Sequence, residues 1–120
     1  MKFIETKAQL IPLDILDLNP GLIKIDVEGL DHLVLKGLRE TTVRARPLFL
    51  IEYTPSTIVQ IMEFFEDKEY KSYVYDHGTN SFYVYDPEKE EATWKQQGLQ
   101  VNLFFIPAEK SKGLKTQTRQ

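Results

Sequence analysis

The sequence has no cysteine, which excludes disulfides and thiolate metal sites and leaves the cytosol as the default expectation. No apolar run approaches the roughly 20 residues of a membrane-spanning helix. Residues 1–10 alternate charged with apolar side chains and lack the apolar stretch and small-residue cleavage site of a signal peptide. No membrane partner is expected. Charge of one sign is scarce as well: 15 Lys and Arg stand against 18 Asp and Glu, a net −3. That balance gives no electrostatic attraction to nucleic acid. Histidine occurs only as His32 and His77, each without a second ligand at metal-binding spacing, so no metal site and no histidine-based catalysis are expected. The six glycines never fall into a G-x-G cluster.

What is present is ordinary for a folded protein: 42% hydrophobic and 28% charged residues in a chain of 120. That is enough for one core and too little for two domains. AQLIPLDIL at residues 8–16 is interrupted by Pro12, which makes it an edge strand or a turn-rich lead-in. Asn19-Pro20-Gly21 signals a turn, because the residue before proline avoids the helical region and glycine tolerates positive φ. LIKIDV at residues 22–27 is short and branched, the pattern of a parallel strand covered on both faces. Leu30, Leu33, Val34 and Leu38 then recur at helical spacing, with Asp31, His32, Lys36, Arg39 and Glu40 mainly off that stripe. This helix is expected to fade over residues 41–45, where Thr41, Thr42 and Val43 lower helix propensity, and Pro47 extends the chain at Arg46.

LFLIEY at residues 48–53 repeats the first strand, apolar residues followed by a carboxylate near the C-terminal end. Thr54-Pro55 predicts a helix start, with the hydroxyl as cap and the proline at the first helical position. Ile58, Ile61, Met62 and Phe65 supply its apolar stripe, which runs out within residues 66–69. KSYVYD at residues 71–76 and SFYVYD at 81–86 flank His77-Gly78-Thr79-Asn80, a hairpin pattern. QVNLFFI at residues 100–106 predicts the last strand, and residues 108–120 read as a disordered tail. Helices between strands imply parallel pairing, and closing strands without helices imply antiparallel pairing. The fold class is therefore α/β with a mixed sheet.

In open parallel sheets ligands sit beyond the carboxyl ends of the strands. Asp26 and Glu28 surround the end of the first parallel strand and Glu52 lies near the end of the second. Neighbouring strands are about 5 Å apart, so these carboxylates can share one cleft. There an acid can orient a hydroxyl, take its proton, grip an amine or help bind a cation. The plainer reading is that they cap helices, and Glu28 stands where it would cap the helix starting at Leu30. Lys24, inside a strand, needs a partner or a route to water, and an ion pair with one of these acids is expected. Gly29 permits either a tight turn or a ligand's approach to the backbone. Trp94 and the tyrosines are expected in core or rim packing.

The string LIKIDVEG at residues 22–29, LVLKGL at 33–38, Arg46-Pro47 and the strand ending Ile51-Glu52 resembles the C-terminal part of FkbM-family methyltransferases. The resemblance runs from about Ile11 to Pro107 and includes the lead-in Leu13-Asp14-Ile15-Leu16. It implies the C-terminal half of a Rossmann-like sheet over residues 1–107, and enzymes that use S-adenosylmethionine to methylate oxygen on small molecules or sugars. It also implies that Asp26, Glu28 and Glu52 are catalytic and that Asp26 and Gly29 face the cofactor.

Such enzymes hold the cofactor with a glycine-rich turn after the first strand, which this sequence does not contain. Binding of the cofactor by this chain is therefore expected to be weak or absent, and a non-catalytic interaction module with the same fold is the alternative function. A cation-dependent hydrolase using the three acids is a third. Half of a doubly wound sheet would also leave one edge of the first strand unpaired, with self-association as the expected consequence.

Overall fold

The computed structural model describes residues 3–91 and 101–117. Its centre is a six-stranded mixed sheet. β1 (Leu22–Ile25) lies at one end and pairs in parallel with β2 (Leu48–Tyr53), Ile23 opposite Phe49 and Ile25 opposite Ile51. Between them the chain forms α1 (Asp31–Lys36) and α2 (Arg39–Ala45). After β2 come α3 (Ile58–Glu66), the hairpin of β3 (Tyr70–Asp76) and β4 (Ser81–Val84), then β5 (Val101–Pro107) and β6 (Thr116–Gln117). β5 inserts between β2 and β3, antiparallel to both, so the spatial order is β1, β2, β5, β3, β4, β6. The expected mixed α/β sheet is present, with its parallel pair closed by antiparallel strands.

Strand alternation sorts the side chains into two faces. Ile25, Phe49, Ile51, Tyr53, Leu103, Phe105 and Val74 point to one face and pack with Leu35 and Leu38 and with Ile61 and Phe65 of α3. Phe65 stacks on Phe105 at 4.1 Å and meets Phe49 edge-on at 5.1 Å. This dry layer of helices on sheet is the core. The opposite face carries Leu22, Lys24, Leu50, Glu52, Asn102, Phe104, Tyr75 and Phe82, alternating with the core residues along each strand.

Several expectations are corrected. β1 was expected to be covered on both faces, but Leu22 is 60% exposed and Lys24 is exposed, because the core packs only on the face that carries Ile23 and Ile25. The single helix after β1 is two helices broken at Gly37-Leu38. At Gly37 a side chain would lie 3.0 Å from the backbone of Pro12, so the lead-in packs into the break. The weak helix formers Thr41 and Thr42 still lie within α2 because Asp14 caps it from outside: its carboxylate accepts from the Glu40 amide at 3.1 Å and from the Thr41 amide and hydroxyl at 2.9 and 2.7 Å. Burial raises the Asp14 pKa, but those bonds and the Arg44 charge together outweigh it and leave the group lowered. α3 begins at Ile58, later than Thr54-Pro55 suggested, because residues 55–57 form a turn in which Thr57 bonds back to Thr54.

The tail expected to be disordered is ordered through residue 117. Ala108–Lys110 forms a 3-10 turn and β6 pairs in parallel with β4. Arg46, in a left-handed conformation at φ 50°, holds the turn: it bonds Glu109 at 2.8 and 2.9 Å, reaches the carbonyls of Lys68 and Glu69, and lies over the Tyr70 ring. Trp94 and Gly98 lie outside the described residues.

Candidate functional site

The site is built where β1 and β2 end together. Ile25 is opposite Ile51, so one further residue along each strand sets Asp26 beside Glu52 on the face away from the helices. The two carboxyls lie close enough to share a proton when one of them carries it. Burial, this hydrogen bond and the negative charge of Asp26 all raise the Glu52 pKa, Lys24 pulls it down, and Glu28 adds to the rise. The three acids singled out from the sequence therefore gather at one end of the β1–β2 pair, where Asp26 and Glu28 both act on Glu52. Lys24 makes no salt bridge among the described residues. Its charge acts on Glu52 from the neighbouring strand, a looser arrangement than the expected ion pair.

Beyond Asp26 the chain turns sharply. The Leu30 amide bonds the Val27 carbonyl at 3.3 Å, and both intervening residues have positive φ, Glu28 at 39° and Gly29 at 87°. Two positive φ values in succession characterise a type I′ turn. For Gly29 the conformation is the reason for glycine, since a Cβ there would meet nothing within 4 Å. For Glu28 it is an uncommon state that β-branched or bulky residues rarely occupy. Glu28 does not cap α1, whose N-terminus has no side-chain cap. Its side chain is left exposed at the mouth of the crevice.

Asp31 and His32, placed off the apolar stripe by the sequence, are less exposed than that position suggests. Asp31 is fully buried, and among the described residues neither of its carboxylate oxygens has a hydrogen-bond partner; His32 is half-buried with its Nδ1 likewise unpartnered there. Their positions off the apolar stripe did not reveal this, because α1 packs against α3 as well as the sheet. His77 stays in the exposed hairpin loop, edge-on to Tyr75 at 4.9 Å. Asn102, opposite Glu52 on β5, went unnoticed in the sequence. Only the antiparallel register brings it beside the acids, and no local pattern encodes that register. Tyr53, the residue after Glu52, faces the core; burial raises its phenol well above the ordinary tyrosine value, with Tyr85 and Glu90 adding to the rise.

Chemically, a raised carboxyl beside a second carboxyl can accept a proton from a hydroxyl and hold it. The open turn at Gly29 allows a ligand to approach the backbone. Among the described residues no helix is long and apolar enough to cross a membrane. A family model described as the methyltransferase FkbM domain matches residues 2–72, which include β1, β2 and all the residues of this crevice except Asn102. No curated protein and no solved structure matches the chain.

Proposed function

The chain belongs to the FkbM methyltransferase domain family, and from that premise we propose that its crevice serves S-adenosylmethionine-dependent methylation of an oxygen on a small molecule or sugar. The observation that carries this reading is the Asp26–Glu52 pair at the adjoining ends of parallel strands inside the matched region.

The cofactor's amino-acid end fits the residues on hand. Asp26 is exposed at the strand end, where its carboxylate suits an ammonium group, and the space around Gly29 lets a ligand lie against the turn. When bound, the cofactor supplies an electrophilic methyl group on a sulfonium. Glu52 accepts the proton of the acceptor hydroxyl, and its raised pKa makes it a better base than an ordinary carboxylate. Glu28, in its positive-φ turn, steers the acceptor at the mouth. Lys24 offsets part of the negative charge the acids bring together.

One observation favours a second reading. The glycines never form the G-x-G turn that cradles such cofactors, which supports weak cofactor binding by this chain and, in the limit, a non-catalytic module. The outer edge of β1, unpaired among the described residues and beside the exposed Leu22, would then act in association, since such an edge invites a further strand, a second copy of the chain included. Calorimetric titration with S-adenosylhomocysteine separates the readings. Micromolar binding, together with transfer of labelled methyl to hydroxylated acceptors that Glu52→Gln abolishes, supports the enzyme. No binding and no transfer even at high cofactor concentration leaves the module.

A further inference from the structure

We propose that residues 3–7 of one chain form an edge strand that pairs in parallel with β1 of a second copy, Phe3 opposite Leu22 and Glu5 opposite Lys24, and that two copies exchange this strand reciprocally. The proposal goes beyond association at the β1 edge by naming the segment that fills it and the register it takes. It holds whether or not the crevice transfers methyl groups.

Two unfilled requirements on the same molecule carry the assignment. The outer edge of β1 has no strand beside it among the described residues. Residues 3–12 join no strand among them and are exposed throughout, Phe3 at 85% and Ile4 at 90%. Single exposed apolar residues are ordinary, but this stretch alternates as a strand with one covered face does: Ile4, Thr6 and Ala8 on one side, Glu5, Lys7 and Gln9 on the other. Downstream the chain is fixed, because Pro12 lies against Gly37 and Asp14 caps α2. The segment leaves the fold from that anchor and does not lie along its own β1.

The register follows from the side chains. Opposed residues on neighbouring strands point to the same face, so setting Glu5 by Lys24 puts Ile4 and Thr6 on the side of Ile23 and Ile25, the core side. In the parallel direction Phe3 then falls by Leu22, and Lys7, one step past the strand, falls by Asp26. One apolar pair and two opposite-charge pairs result. The antiparallel direction about the same Glu5–Lys24 match sets Phe3 by Asp26 and Lys7 by Leu22, which matches neither. Parallel pairing also continues the direction of β1 and β2.

The helix above offers a roof. His32 and Lys36 line a groove shared with α3, so Leu30 and Val34, on the other side of that helix by its periodicity, overlook the outer edge of β1. Leu30 is exposed and Val34 half-buried. Ile4 and Thr6 of the second copy, placed beneath them, extend the core layer by one strand. Lys7 of the second copy brings an ammonium group to Asp26, so the crevice gains a side chain from the partner. A single strand is a small contact, and reciprocal exchange doubles it under two-fold symmetry.

The test uses the full chain, which has no cysteine, so introduced thiols report alone. Chains carrying Phe3→Cys, mixed with chains carrying Leu22→Cys and oxidised, are expected to form a covalent dimer, with at least tenfold less from Lys7→Cys mixed with Leu22→Cys. All three substitutions are at exposed positions. By sedimentation, Glu5→Lys and Lys24→Glu are each expected to weaken the dimer about tenfold, since each acts at two symmetric pairs, and the two combined in one chain should recover most of the loss. The proposal is overturned if the unsubstituted chain is monomeric up to about 100 μM, or if Lys7→Cys links to Leu22→Cys as well as Phe3→Cys does. It is also overturned if Phe3→Cys and Leu22→Cys link only when carried on one chain, which would assign the segment to its own sheet. No arm reads methyl transfer, so failure of the transferase reading leaves the exchange standing. Conversely, methyl transfer by a chain that stays monomeric overturns the exchange and leaves that reading intact.

Discussion

Asp14 and Thr41 are joined by two hydrogen bonds, the Asp14 carboxylate accepting from both the amide and the hydroxyl of Thr41 at 2.9 and 2.7 Å. A lead-in segment thereby supplies the N-terminal cap that α2 lacks in its own sequence. Asp14→Ala is expected to destabilise the protein by about 1 kcal/mol, the usual worth of a cap, read as a lower urea midpoint with an unchanged slope. Asp14→Asn should recover part of the loss. A midpoint unchanged in Asp14→Ala would mean that α2 is held by packing alone.

Glu52→Gln removes the proton acceptor and is expected to lower methyl transfer by about 10²–10⁴-fold, the range attributed to general acid–base catalysis. Because its pKa is raised in the folded protein, activity should climb with pH to a point above the ordinary carboxylate range. The same sign applies to stability. A carboxyl with a raised folded pKa favours folding fully below its unfolded value, and that contribution is lost as pH rises through the folded value. At neutral pH Glu52→Gln should therefore be as stable as the parent or more so, while losing activity; a large drop in the denaturation midpoint would assign Glu52 a structural role.

Gly29→Ala meets no steric obstacle, so its cost isolates the backbone. At φ 87°, alanine is expected to destabilise by about 1 kcal/mol. Glu28→Gly at φ 39° should go the other way or be neutral, while reducing methyl transfer if the side chain steers the acceptor. Unfolding curves for both, with transfer rates for the second, check the pair. Greater stability with undiminished activity would remove Glu28 from the site.

The Glu109 carboxyl is lowered to about 2, first by its hydrogen bond with Arg46. A depressed carboxyl contributes stability above its unfolded pKa and loses it as pH falls through the folded value. The 3-10 turn at Ala108–Lys110 should therefore loosen as pH drops from about 4.5 toward 2. Hydrogen exchange at Ser111 is expected to quicken over that window ahead of the core strands, and Glu109→Gln should show the quicker exchange already at neutral pH.

If the outer edge of β1 associates, sedimentation should show a concentration-dependent species that Leu22→Lys removes, since an edge lysine resists strand addition. A monomer at all concentrations would show that the exposed Leu22 is tolerated without a partner.

The sequence by itself determined the elements whose signals are local. Branched runs ending in carboxylates are β1 and β2, the aromatic runs around residues 77–80 are the hairpin, and the adjoining acids Asp26 and Glu52 follow from two parallel strands side by side. What only the tertiary structure decided depends on contacts between segments far apart in the chain. The insertion of β5 between β2 and β3 brings Asn102 to Glu52. The cap from Asp14 keeps Thr41 and Thr42 helical against their propensity, and the Arg46–Glu109 contact orders a tail whose composition predicts coil. The burial of Asp31 belongs here too, because a helix in contact with both a sheet and a second helix buries more of its circumference than its apolar stripe marks. Propensity and periodicity act over a few residues, whereas register, remote capping and burial depend on which surfaces meet.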